Sequence, residues 1–202
     1  MRKFSRLSVV LSHEGNDESD FSAPVVEMTN GSNTVQVSDL ESALSMLPPG
    51  SEVSVVATGT VGNRTVHNIA RIIREGCVLV SLDLSSATEL SRVFDSPFRE
   101  NRNLVGIVFP SNLISISAHA LENCENLESV VIPASVHAIG ENAFSGCEKL
   151  SSLKFGDPKG WFAVCDGNEC HSSANLENPE DNPYRFILQS SPYRNCMLEK
   201  RS

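Results

Sequence analysis

Cys165, Cys170 and His171 are the one group of side chains in this sequence that could hold a metal or do thiol chemistry, in Cys165-Asp-Gly-Asn-Glu-Cys170-His171. Thiolates and an imidazole suit zinc, which takes four ligands in a tetrahedron; Cys196 or Asp166 could supply the fourth. The spacing matches no recognised zinc knuckle. The same residues read more simply as a loop with incidental thiols, or as a Cys165–Cys170 disulfide if the chain is exported. Elsewhere the chemistry is thin. No serine sits in a nucleophile elbow, no glycine-rich phosphate loop follows a strand, and no carboxylate pair recurs at a site-like position. His119 and His137 fall where neighbouring positions vary and read as solvated wall residues. The expectation is therefore no enzyme, no cofactor and no metal.

What positions all side chains here is a repeat. Leu104, Leu127 and Leu150 stand 23 residues apart, and each opens an L-x-x-hydrophobic-x-hydrophobic frame: Leu104/Ile107/Phe109, Leu127/Val130/Ile132, Leu150/Leu153/Phe155. The correspondence continues past the strand, with Leu113 and Ile116 matched by Val136 and Ile139, Ala120-Leu121 by Ala143-Phe144, and Asn123-Cys124 by Gly146-Cys147. A fixed period in the twenties is the mark of stacked repeats, because a unit this short cannot bury its own apolar side but can bury it against copies of itself. The frame alternates as a strand with one buried face should. Pro110 and Pro133 follow and end the strand, since proline has no N–H for a ladder bond. A short helical or 3₁₀ turn is predicted to return the chain, with Cys124 and Cys147 as small buried residues of the back wall. A more divergent copy, with Leu79, Leu82 and Leu84 inward, precedes Leu104, and Leu90 and Phe98 fill its return wall. That makes about four repeats.

The stretch Leu127 to Cys147, with Val130, Ile132-Pro133, Val136, Ile139-Gly140, Ala143-Phe144 and Cys147, resembles the BspA-like, treponemal-type leucine-rich repeat family. Val80-Ser-Leu82-Asp83-Leu84-Ser85 is similar to a lead-in of such proteins, and Phe155 to Trp161-Phe162 to their exit segment. The resemblance spans roughly residues 35–162. It implies an α/β fold, a right-handed solenoid with a parallel β-sheet on its concave face, used for protein–protein contact and often as a bacterial surface adhesin. It implies no catalytic residues, and a surface or periplasmic location.

Composition narrows the partners. A net charge of −9 over 202 residues argues against nucleic acid and against anionic membrane surfaces, which both want clustered Lys and Arg. No run approaches the ~20 apolar residues a membrane-spanning helix needs. Leu7–Leu11 is too brief for the apolar core of a signal peptide, so no export signal is read. Six cysteines in a chain this long do not make a disulfide scaffold.

Residues 1–33 read as a flexible N-terminal segment and 34–76 as an N-terminal strand/helix cap. Within that cap Ser38 and Glu41 form a capping box opening a helix to about Leu47, Pro48-Pro49-Gly50 stops it, and Val53, Val55 and Ala57 make a strand. A second helix runs from about Thr65 to Gly76. The repeats occupy 77–156, and 157–202 is a C-terminal cap and tail. There Trp161-Phe162 lids the last repeat, 166–183 is loop, and Tyr184–Leu188 is a short returning strand.

Residues alternating with the core set face outward on the concave side: Ser81 and Asp83, Gly106 and Val108, Ser129 and Val131, Ser152 and Lys154. That face is small and partly apolar, with Val108 and Val131 stacked at its centre. Solvent-facing strand positions normally carry long polar chains that keep other proteins off. Their lack points to a covered surface, unless short β-branched residues are there simply as good strand formers. The expected function is a module binding a protein or peptide on this face. The alternative is a structural homo-oligomer pairing through the same face.

Overall fold

Alternating apolar residues lay down strands here, and the 23-residue period decides which strands meet. The computed structural model describes residues 7–13, 25–30, 33–37, 40–59, 61–93, 95–165, 168–171 and 196–200, with side chains at 40–57, 61–93, 95–164 and 196–200. In chain order these form β1 (Leu7–His13), β2 (Val25–Asn30), β3 (Asn33–Val37), α1 (Leu40–Ser45), β4 (Glu52–Gly59), α2 (Asn63–Glu75) and β5 (Leu79–Ala87). There follow β6 (Arg92–Val93), β7 (Leu104–Val108), β8 (Ser115–Ile116), β9 (Ser129–Ile132), β10 (Ala138–Ile139) and β11 (Ser152–Phe155). The chain closes with β12 (Trp161–Cys165), β13 (Asn168–His171) and β14 (Met197–Lys200).

Two sheets result. The larger has eight strands in the order β11-β9-β7-β5-β4-β1-β2-β3. Its five strands from β4 to β11 are parallel, β1 lies parallel to β4, and β2 and β3 continue antiparallel. The smaller has six strands in the order β13-β12-β14-β10-β8-β6, with β6, β8 and β10 parallel and the rest antiparallel. Equivalent residues of successive repeats pair directly: Ile107 with Val130 and Val130 with Leu153 in the first sheet, Val93 with Ile116 and Ile116 with Ile139 in the second.

The interior between the sheets is a set of ladders. Leu104/Leu127/Leu150, Phe109/Ile132/Phe155, Leu90/Leu113/Val136 and Phe98/Leu121/Phe144 are all buried. Below them α2 turns Val66, Ile69, Ala70 and Ile73 into the same core. Each fully buried Leu or Phe contributes about 2 kcal/mol by leaving water. Above the last repeat, Trp161 packs edge-on against Phe155, ring centres 5.3 Å apart, and its indole N–H donates to the Asp157 carbonyl. Phe162, expected beside Trp161 in the lid, is half-buried.

The backbone repeats as faithfully as the side chains. Left-handed φ angles recur at Ser96, His119 and Asn142, and again at Glu100, Asn123 and Gly146, each set spaced by one repeat. The return turns also bond to one another: the His119 amide to the Glu141 carbonyl, the Asn123 amide to the Ser145 carbonyl, and the Ile114 and His137 amides to the Ser91 and Ile114 carbonyls.

Several expectations need correcting. Residues 7–13 and 25–30 fall in the stretch read as flexible, yet they form strands, because Leu7-Ser-Val-Val-Leu11 has the length and β-branched content to extend an open sheet edge. The return is made of turns and two-residue strands, not a helical or 3₁₀ turn; α1 and α2 are the helices among the described residues. The last residues, read as a tail, include β14, and part of the loop expected over 166–183 is β13. Helix α2 begins at Asn63, two residues before Thr65. Ser38 and Tyr184–Leu188 lie outside the described residues.

Gly140 shows how little room the stacking leaves. A β-carbon there would stand 2.1 Å from the Ala118 amide nitrogen of the preceding repeat. Backbone cannot yield as a flexible side chain can, so Gly140→Ala should destabilise the fold by about 3 kcal/mol. Thermal unfolding should show a midpoint lowered by roughly 6–12 °C. An unchanged midpoint would mean the repeats are not packed this closely.

Candidate functional site

The sheet face turned away from the core is built by register. Along β5, β7, β9 and β11 the buried residues alternate with Ser81 and Asp83, Gly106 and Val108, Ser129 and Val131, Ser152 and Lys154. Pairing sorts these eight into two rows. One runs Ser81–Gly106–Ser129–Ser152, and the other Asp83–Val108–Val131–Lys154. All eight sequence-chosen residues thus share one face, at interstrand spacings near 4.8 Å.

The second row is apolar at its centre and charged at its ends. Val108 and Val131 are 44% and 46% exposed, values unusual for branched aliphatic residues side by side. Ser129 and Lys154 are exposed, while Ser81, Asp83, Gly106 and Ser152 are half-buried. The Asp83 carboxylate accepts the Ser85 amide at 2.8 Å, which turns it into a local backbone brace. Other exposed apolar side chains lie elsewhere: Met46 just after α1, Ile114 just before β8, and Met197 on β14.

Both rows run further than the repeat frame revealed. Ser54 pairs with Ser81 and Val56 with Asp83 on β4; Ser8 and Val10 follow on β1, Thr29 and Glu27 on β2, and Thr34 and Gln36 on β3. The signal was available in the alternation of Ser8, Val10 and Ser12 with Leu7, Val9 and Leu11. It was missed because no strand of the repeat frame stood beside it.

The remaining candidates resolve differently. Cys124 and Cys147 are buried, and their thiols donate to the Phe98 and Leu121 carbonyls at 3.0 and 3.1 Å. Asn101 takes the same position one repeat earlier, donating to the Ala70 carbonyl at 2.9 Å. These three side chains tie each return wall to the element before it. Burial pushes the Cys124 thiol up to about 12, the backbone contact at Asn101 opposing it only in part, and burial raises Cys147 further still. His119 occupies a left-handed turn position shared with Ser96 and Asn142 and lies 3.2 Å from Glu122, itself 2.8 Å from Arg99. It is thus half-buried, not freely solvated as expected, whereas His137 is exposed.

For the metal reading, Cys165 and His171 end strands β12 and β13, and Cys170 precedes His171; their side chains lie outside those described. Cys196, named as a fourth ligand, is disulfide-bonded and so holds no thiolate for a metal. Among the described residues no group of three or more His, Cys, Asp or Glu is placed to hold a metal ion. No described helix is long and apolar enough to cross a membrane.

The BspA type leucine-rich repeat region family matches residues 63–184 in six copies. No curated protein and no solved structure matches this chain.

The wall thiols give a direct check on packing. Cys77 is exposed, so an aromatic disulfide reagent at pH 8 should label it quickly in the native protein. Cys124 and Cys147 should react on the order of a thousandfold more slowly, until the chain unfolds. An unfolded chain releases the Cys124 proton near pH 9, the folded one only near 12. The stability this thiol contributes is therefore whole below pH 9 and lost progressively as pH rises toward 12. Fast native labelling of either wall cysteine would contradict the packing.

Proposed function

The chain belongs to the BspA-type leucine-rich repeat family, and from that premise we propose that it is a non-enzymatic module that binds a protein or peptide on the open face of its larger sheet. The family supports a protein-interaction role. The observation that carries the choice of face is the register pair Val108 and Val131, both exposed, on strands whose other outward residues are only Gly106 and Ser129. The eight residues Ser81, Asp83, Gly106, Val108, Ser129, Val131, Ser152 and Lys154 are its contact surface. Apolar side chains at the centre would supply most of the binding free energy, the hydroxyl row would satisfy polar groups at the rim, and Asp83 and Lys154 would set orientation by their opposite charge.

In this reading the repeats form a right-handed solenoid with the open face concave. Residues 34–76 act as the cap that keeps one end of the ladders dry, and residues 157–202 close the other. Four complete repeats, with atypical copies at the ends, would account for the matched region. An extended peptide lying across the parallel strands, or a loop of a folded protein, fits a face this shallow. An adhesin-type role, with the ligand on another cell or matrix, is the form such binding would take on a bacterial surface. A standard interface would cover about 800 Å² of this chain, more than the two valines offer, so the hydroxyl row and the strands beyond Asp83 would be covered too.

The same valine pair supports a second reading, a homo-oligomer in which two open faces meet. Light scattering on concentrated protein separates the two readings, since a strict monomer removes the second.

Peptides selected on the wild-type protein from a displayed random library should lose at least about tenfold in affinity, some 1.4 kcal/mol, when Val108→Lys and Val131→Lys are combined. Far-UV circular dichroism should stay unchanged, because both side chains point away from the core. Selected peptides that bind the double variant as well as the wild type would show that this face is not the binding surface.

A further inference from the structure

Strand β14 takes the place that another repeat would take. Beside β10 the Lys200 amide donates to the His137 carbonyl at 2.7 Å, as the His137 amide donates to the Ile114 carbonyl one repeat before. The ladder is thus continued by a strand running the other way, Ile139 opposite Leu198. Strand β14 is also the sole link in the sheet order between β10 and the β12–β13 hairpin. It therefore finishes the wall and carries the hairpin.

Its hold on β10 is slight: two register pairs, against four with β12. A covalent tie adds to them. Cys196, immediately before β14 and buried, is disulfide-bonded. Of the six cysteines, Cys77, Cys124 and Cys147 are free, which leaves Cys165 and Cys170 as candidates for the partner. Backbone register distinguishes them. Met197 lies opposite Val164, so one step along the antiparallel pair sets Cys196 opposite Cys165. Cys170 is on β13, beyond β12. Two interstrand spacings come to about 9.6 Å, too far for the roughly 7 Å reach between the α-carbons of a disulfide.

We propose that a Cys165–Cys196 disulfide clasps the end of the repeat stack, making closure of the C-terminal wall depend on the redox state of the surroundings. On closure each thiol gives up one proton and one electron, the S–S bond forms, and an oxidant of the disulfide class takes the two electrons and becomes a dithiol. The clasp persists where disulfides persist, outside a reducing cytosol. On reduction β14 keeps its backbone ladder and the ion pair of Lys200 with Asp157. That leaves the β12–β13 hairpin, and Trp161 over the last repeat, held by non-covalent contacts alone.

Cleavage before aspartate resolves the pairing, because Cys165, Cys170 and Cys196 fall in separate fragments, 157–165, 166–180 and 181–202. Protein made in an oxidising compartment, alkylated at low pH and digested without reductant, should yield fragment 157–165 linked to 181–202. Linkage of 166–180 to 181–202, or alkylation of all six cysteines, overturns the proposal. Reduction should also lower the melting midpoint of the full chain by roughly 10 °C, for a closed loop of this length. That drop should survive in Cys170→Ser and vanish in Cys165→Ser and in Cys196→Ser. An unchanged midpoint on reducing the wild type overturns the clasp even if the bond is present.

Discussion

Every repeat must lay its backbone on the one before it, and that single demand governs which residues the chain can use. The buried ladders form only if successive strands and successive turns superpose, because a side chain displaced by one position in a strand changes face. Hence left-handed φ recurs at both turn positions of each repeat, whether serine, histidine or asparagine fills the first, or glutamate, asparagine or glycine the second. Residue type is negotiable there; conformation is not. Where backbones approach most closely, even type is restricted: at Gly140 a methyl group has no room, while Ser117, the equivalent of Gly140 in the preceding repeat, is accommodated.

The wall cysteines follow from the same demand. The return turn needs a small side chain that fills space and can quiet a carbonyl of the neighbouring repeat. A thiol does both, as a weak donor with little cost on burial. Asn101 does the same work at the first turn, where the neighbour is not a repeat but helix α2, and the stronger amide donor reaches the Ala70 carbonyl. Asn103 adds to this junction by donating to the Ile73 and Gly76 carbonyls at the end of α2, where amide partners within the helix run out. The first repeat is thus joined to the preceding block by hydrogen bonds as well as by apolar burial.

These constraints explain what could be read in advance. Ladders need near-identity at fixed spacing, so Leu104, Leu127 and Leu150 announce themselves, and with them the strands, the register and the open face. What lies beside a repeat is under no such rule. Strands β1 to β3 pair with β4 and with each other, and nothing in Leu7–Leu11 says which sheet it will join. The two-residue strands of the return wall are too short to show alternation. Strand β14 is separated from its partners β10 and β12 by long stretches of chain, and only the assembled structure reveals that Cys196 is disulfide-bonded and holds no thiolate for a metal. Local pattern therefore disclosed the inside of the repeats and not their ends.

The same division bears on function. Inward positions are committed to the ladders, and turn positions to left-handed backbone or to bonds between repeats. Apart from Asp83, which braces the Ser85 amide, the outward positions of the repeat strands are committed neither to the ladders nor to the turns, so folding leaves their residue types free. Glycine, serine and valine are poor choices for shielding a sheet from other chains, and a sheet that had only to stay solvated would gain from lysine or glutamate at Val108 and Val131. Lys154 has that protective character, on β11 at the end of the sheet's strand order, where unwanted strand pairing is the greater hazard. A charge on the edge strand and bare valines on the two strands beside it would follow from one requirement: the edge must be kept from sticking while the face next to it stays clear of long polar chains.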